Sequence, residues 1–223
     1  MSASSGRRAS PPAPASPTTR WEREALREGF AVLAGLDEAG RGALAGPVVA
    51  AAVVLDPSAP LPGIRDSKQL PAAARTTLAA LIKEHALAWA IGVAASELVD
   101  RVNILRATHL AMREALDGLA VRPDLVLVDG LAVPTLACPS RAIVQGDRHS
   151  YLIAAASIVA KVERDALMVA LDAQHPQYGF AQHKGYGTAA HRQALAECGP
   201  CPAHRRSFAP VAQWEQEALF EDE

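Results

Sequence analysis

The chain has 223 residues, half of them apolar, with 22 Lys and Arg against 24 Asp and Glu. That suits one domain with a sizeable core rather than two large domains; no uncharged apolar run reaches membrane-spanning length, and three cysteines are too few for a disulfide framework, which points to a reducing, cytoplasmic setting. A net charge of −2 excludes a generally basic protein, but nucleic-acid binding needs only a local basic face, and the basic excess falls in residues 141–206.

The opening MSASSGRRASPPAPASPTTR has no apolar period and no continuous apolar stretch, so residues 1–30 are expected to be a disordered leader and lead-in, not a signal peptide. Ala31 to Asp37 and Val48 to Leu55 predict two strands joined by a glycine-rich turn. They are too close for a helical crossover, so an antiparallel hairpin is expected. Ala88 to Ala94 predicts a third strand. Asn103 to Leu116 has helical spacing with Asp100 as its expected N-cap. Leu125 to Val128 and Arg141 to Val144 predict two more strands, and Tyr151 to Ala173 a long helix whose small residues permit close approach to a sheet. The fold class is α/β, with a mixed sheet flanked by helices. From Ser207 onward the chain has five acids and no Lys or Arg, and residues 212–223 are expected to form an acidic tail.

Four acids fall where strands end or turns begin: Asp37, Glu38, Asp129 and Asp147. Strand ends of α/β sheets gather at one edge, and carboxylates converging there repel unless cations hold them. Oxygen ligands suit Mg²⁺ or Mn²⁺. Adjacent strand residues face opposite ways, so Asp37 and Glu38 are expected to share a site only if the chain turns there, as Gly40 and Gly42 would allow. By spacing alone, the same four acids are equally well read as turn and capping residues. Gly40 to Ala45 formally matches a dinucleotide-binding fingerprint, but Pro47 and a β-branched run follow where a helix should open, and two acids precede it. No P-loop occurs.

The segments Gly35-Leu36-Asp37-Glu38-Ala39-Gly40-Arg41-Gly42 and Leu44 to Ala52 resemble the opening of the ribonuclease HII, or type 2 ribonuclease H, family. The resemblance continues through Asp66-Ser67-Lys68, Asn103-Ile104-Leu105, Val128-Asp129-Gly130, Gly146-Asp147 and Ile153 to Lys161. It closes with His183 to Thr188 and His204 to Phe208, so it spans about 31–211, expected to be the catalytic domain with a small helical C-terminal part. It implies a ribonuclease H-like fold and an endonuclease that cuts the RNA strand of RNA–DNA hybrids and 5′ of single ribonucleotides in duplex DNA, leaving 3′-hydroxyl and 5′-phosphate ends. It implies that Asp37, Glu38, Asp129 and Asp147 hold two divalent cations, Mg²⁺ or Mn²⁺. Gly40, Arg41, Gly42 and Tyr186 would read the ribonucleotide, with Ser67, Lys68, Asn103 and Lys184 as candidate phosphate contacts. Gln145, Arg148 and His149 depart from the pattern of many relatives beside Asp147. A monomer acting in replication and repair, with no membrane contact, is expected.

Two further motifs stand apart. Cys198-Gly199-Pro200-Cys201 with His204 has the outline of a zinc or redox site, but Pro202 follows directly and a plain loop is expected. Gln216-Glu217-Ala218-Leu219-Phe220 fits Q-x-x-L-F and resembles the peptide by which bacterial replication proteins bind the sliding clamp, with Gln216, Leu219 and Phe220 as contacts. Alternatively Trp214, Leu219 and Phe220 dock a terminal helix on the body.

Overall fold

A computed structural model of the chain describes residues 16–65 and 67–221. Residues 1–15 of the expected leader, Asp66, and the side chains of Leu219 and Phe220 lie outside the described set. In chain order the elements are α1 (Arg20–Arg27), β1 (Leu33–Ala39), β2 (Val48–Val54), α2 (Ala72–His85), β3 (Ala88–Ala94), α3 (Ser96–Val102) and α4 (Ile104–Asp117). There follow β4 (Leu125–Asp129), β5 (Ser140–Ile143), α5 (Gly146–His149), α6 (Tyr151–Gln174), α7 (Phe180–His183), α8 (Ala189–Cys198) and α9 (Ala209–Glu221).

The sheet order is β3-β2-β1-β4-β5, with β3, β2 and β1 antiparallel and β1, β4 and β5 parallel. It is the mixed sheet expected, including the antiparallel hairpin. Alternation sorts each strand between two cores. Leu33, Ala51, Val53, Leu125, Leu127 and Ile143 face α6, while Ala34, Leu36, Val48, Ala50, Val126 and Val128 face α4. Gly35 shows how tightly α6 is seated, since a Cβ there would fall 2.1 Å from the Leu152 carbonyl oxygen. No helix among the described residues is long and apolar enough to cross a membrane.

Three expectations need correction. The first strand begins two residues later and runs two further, so Asp37 and Glu38 lie inside it. Asn103, not Asp100, caps α4 by accepting the Arg106 amide at 3.0 Å. Asp100 ends up in the separate helix α3, accepting the Arg206 and Ser207 amides, each at 2.9 Å. The third correction concerns the lead-in, which is partly ordered: α1 buries Glu22, whose carboxylate accepts Ser150 Oγ at 2.6 Å and the Leu152 amide at 3.0 Å. The C-terminal segment is helical through Glu221, and Trp214 lies against Gly199, where a Cβ would meet the indole at 2.8 Å.

Candidate active site

The three parallel strands bring their C-terminal ends to one edge. Leu36 pairs with Val128 as the last rung between β1 and β4, so Asp37 and Asp129 stand side by side one residue beyond it. Both are on the α6 face. Glu38 alternates toward the other face and reaches the same cleft where β4 no longer pairs with β1; the strand continues through Ala39 against β2, so no chain reversal at 37–38 is needed. The cleft, about 470 Å³, is lined by Asp37, Glu38, Asp129, Ser67, Lys68, Ser157, Lys161 and Tyr186, among others. Asp147 lies at its margin on the one-turn α5, entered through Gln145 in the left-handed region. It is joined to the cleft through Lys68, whose Nζ is 3.3 Å from Asp147 Oδ2.

Each acid is held by a donor of the protein. Arg41 Nη1 lies 3.1 Å from Glu38 Oε1, and the Gly146 amide donates to Asp129 Oδ1 at 2.6 Å. Asp37 accepts the Glu38 amide at 2.7 Å, with the Ser157 hydroxyl beside it. These contacts do not fully offset burial and repulsion. Burial, then the charges of Glu38 and Asp129, hold the Asp37 carboxyl well above the usual range. Glu38 is raised mainly by burial against the opposing pull of Arg41, and Asp129 by burial and then Asp147. Clustered acids destabilised in their charged form are a donor set suited to hard divalent cations. Among the described residues, however, no three His, Cys, Asp or Glu side chains are already closed around one point.

The other expected residues divide. Gly40 makes the turn out of β1 at φ +97°, and a Cβ on it would strike Arg164 Nε at 1.9 Å. Arg41 and Gly42 follow in the exposed part of this loop. Tyr186 faces the cleft, its ring center 5.3 Å from the Arg164 guanidinium and 5.8 Å from Lys161 Nζ. Ser67 is buried against Ser157, oxygen to oxygen 3.0 Å, which makes it a prop for Asp37. Asn103 is spent on capping α4, and Lys184 turns its amine onto the Ala181 carbonyl. Ser157 and Lys161 join the site beyond the expected set; their i, i+4 spacing, which places both on one face of α6, is the sequence signal for them. The cysteines form no metal cluster among the described residues. Cys201 instead donates its amide to His204 Nδ1 at 3.0 Å.

The family model for Ribonuclease HII matches residues 34–211. The chain belongs to the ribonuclease HII family. It is 57% identical over 182 residues to the ribonuclease HII of Nitrosococcus oceani, covering 82% of this chain and 90% of that one. Ribonuclease H2 from Pyrococcus horikoshii superposes with a TM-score of 0.71 at 22% identity, covering 84% of this chain and 98% of that one. The ribonuclease HII of Archaeoglobus fulgidus, solved in complex with PCNA, gives 0.68 at 26% identity over 80% and 95%. The expected ribonuclease H fold is therefore present, and the protein is a ribonuclease H, a phosphodiester-cleaving hydrolase.

Proposed function

We propose that this ribonuclease HII cuts the RNA strand of RNA–DNA hybrids and incises 5′ of single ribonucleotides embedded in duplex DNA, leaving 3′-hydroxyl and 5′-phosphate ends. The observation that carries the reading is the side-by-side placement of Asp37 and Asp129 at the sheet edge, with Glu38 and Tyr186 around the same cleft. Asp37, Glu38, Asp129 and Asp147 would hold two divalent cations, Mg²⁺ or Mn²⁺. Such ions supply an ionised attacking water and neutralise charge on the leaving oxygen.

The chain's own residues supply the rest. Ser157, backed by Ser67, keeps the Asp37 carboxylate oriented. Lys68 and Lys161 bring positive charge to the cleft for the scissile phosphate. RNA is told from DNA by its 2′-hydroxyl. The backbone around Arg41 and Gly42 and the phenol of Tyr186 are the groups that would read it. The C-terminal Q-x-x-L-F would carry the enzyme, as a cytoplasmic monomer, to a sliding clamp during replication and repair.

The test uses three duplexes of one sequence: with one ribonucleotide, all DNA, and RNA–DNA hybrid, each with Mg²⁺, Mn²⁺ or EDTA. Metal-dependent cutting of the first and third, absent from all-DNA and lost in Asp129→Asn, supports the reading. Tight hybrid binding with no cleavage in either metal would replace it with a non-catalytic hybrid-binding role.

A further inference from the structure

The loop from Gly40 to Pro47 is organised around two buried arginines whose hydrogen bonds run to main-chain carbonyls. Arg164 donates to Pro47, Ala45 and Lys184 at 2.9, 3.2 and 3.0 Å. Arg205 is more fully used. Its Nε donates to Gly46, one terminal nitrogen to Arg41 and Ala43, and the other to Gly40 and Gly46, all between 2.8 and 3.1 Å. A guanidinium has five N–H donors in a fixed fork, and here all five are engaged by one loop. The surrounding main chain reinforces this grip, because the Arg205 amide donates to Leu44 and the Gly46 amide to Ala203, both at 2.8 Å.

The peptide plane converts this into a statement about the loop's outer side. In a trans peptide the carbonyl of one residue and the N–H of the next point in opposite directions, and no cis bond occurs among the described residues. With the Gly40 and Arg41 carbonyls turned inward onto Arg205, the N–H groups of Arg41 and Gly42 are turned outward. The neighbouring amides are occupied: Ala43 donates to Gly40, Leu44 and Ala45 to Gly185, and Gly46 to Ala203. The Arg41 and Gly42 amides have no acceptor among the described residues, and both residues are exposed next to Glu38.

We infer that Arg205 is a positioning residue for substrate choice: by binding the Gly40 and Arg41 carbonyls it aims two adjacent N–H donors at the ribose 2′-oxygen. This rests on the proposed reading that the loop meets the ribose. The residue touches no substrate itself and acts only through the two peptide planes. Lysine cannot substitute, since a single ammonium has neither the fork nor five donors.

The test compares the full-length wild type with Arg205→Lys and Arg205→Gln in Mg²⁺, on two duplexes differing only in ribose or deoxyribose at one position. Thermal melting is recorded alongside. Arg205→Lys should lower the rate on the ribose duplex at least about tenfold, as expected when a site loses its donors to one hydroxyl. Most of the fall should appear in kcat, with KM within about threefold. In wild type, the Arg41 and Gly42 amide resonances should shift with the ribose duplex and not with all-DNA, and this response should vanish in the variant. Arg205→Gln keeps a two-donor amide and should fall between the two; it serves if Arg205→Lys does not fold. A fall in rate with the Arg41 and Gly42 amide response to the ribose duplex unchanged overturns the inference and leaves Arg205 a structural residue. A wild type that cuts both duplexes equally instead overturns the underlying reading of ribose recognition.

Discussion

His204 Nε2 faces His191 Nε2 at 3.1 Å inside the C-terminal lobe, so one ring must carry a proton there and the other must not. The neighbours fix which. Cys201 donates its amide to His204 Nδ1, which leaves the His204 proton on Nε2, pointing at His191. His191 is then protonated on Nδ1, which donates to the Tyr186 carbonyl at 3.0 Å. The tautomers follow from the hydrogen-bond pattern. Two neutral imidazoles thus anchor the main chain of the tyrosine that lines the cleft.

Protonating this pair breaks it, and the effect on stability has a definite sign. Burial, then His191, pushes His204 down to about 4 from an ordinary value near 6.5. The unfolded chain therefore binds this proton more readily, and stability is lost as pH falls from about 6.5 to about 4. At pH 5 the loss from His204 is about 2 kcal/mol. The raised acids of the cleft act in the opposite direction, so the comparison must be against His204→Asn in EDTA. Urea denaturation should show a variant less stable at pH 7.5, with the gap narrowing by about 2 kcal/mol at pH 5; parallel pH curves would contradict this.

Asp37→Asn should give a more stable and inactive enzyme. Ionised Asp37 is disfavoured by burial and by Glu38 and Asp129, and the amide removes that charge without changing shape. Metal-free melting should rise by about 2–4 °C, the equivalent of about 1 kcal/mol in a chain of this size. Hybrid cleavage should fall by about a hundredfold or more. Mn²⁺ should stabilise wild type more than the variant, because only a ligand bound by the native state adds stability.

Much of this arrangement was legible in the sequence. The near-continuous apolar run of β2 and its short spacing from β1 require an antiparallel pair, and Gly130 after LVLVD marks the end of a buried strand at an acid. Boundaries were less legible, because β1 gains its last two rungs from Val49 and Ala50 across the hairpin, a tertiary contact that local propensity does not contain. Asp100 is as good a cap as Asn103 by composition; what decides is that Asn103 adopts φ 71°, placing its side chain over the Arg106 amide. The lead-in was hardest to read, since α1 is polar almost throughout and is fixed by one buried Glu22 bonded to residues about 130 positions away. Arg205 lies within the His204 to Phe208 segment, but nothing local reveals that its partners are Gly40 to Gly46.

Tyr186 separates ring from hydroxyl. Tyr186→Phe keeps an aromatic face above Arg164 and Lys161 and loses one hydrogen-bonding group. Incision at a single ribonucleotide should drop by roughly tenfold, the value of one hydrogen bond of about 1–1.5 kcal/mol. Tyr186→Ala should drop further, while cleavage of a long hybrid changes less in both. Equal effects on the two substrates would remove Tyr186 from ribonucleotide selection.

Substitution can separate the packing of the C-terminal helix from the proposed clamp contact. Trp214 packs on Gly199, so Trp214→Ala should lower the melting temperature. The double substitution Leu219→Ala and Phe220→Ala should leave melting and hybrid cleavage unchanged while abolishing capture by immobilised bacterial sliding clamp. Unchanged capture would exclude the Q-x-x-L-F segment as the clamp contact.

The contact between Gly35 and Leu152 bears on how the enzyme fails under stress. Asp37 is two residues from a point where strand and helix backbones touch, on a strand bonded on both sides. That rung cannot fray alone, because opening it separates β1 from α6 and with it both cores. Its amides should exchange with solvent only through global unfolding. Asp37 therefore has no local melting step of its own, and its place in the cleft should be lost only with the whole fold.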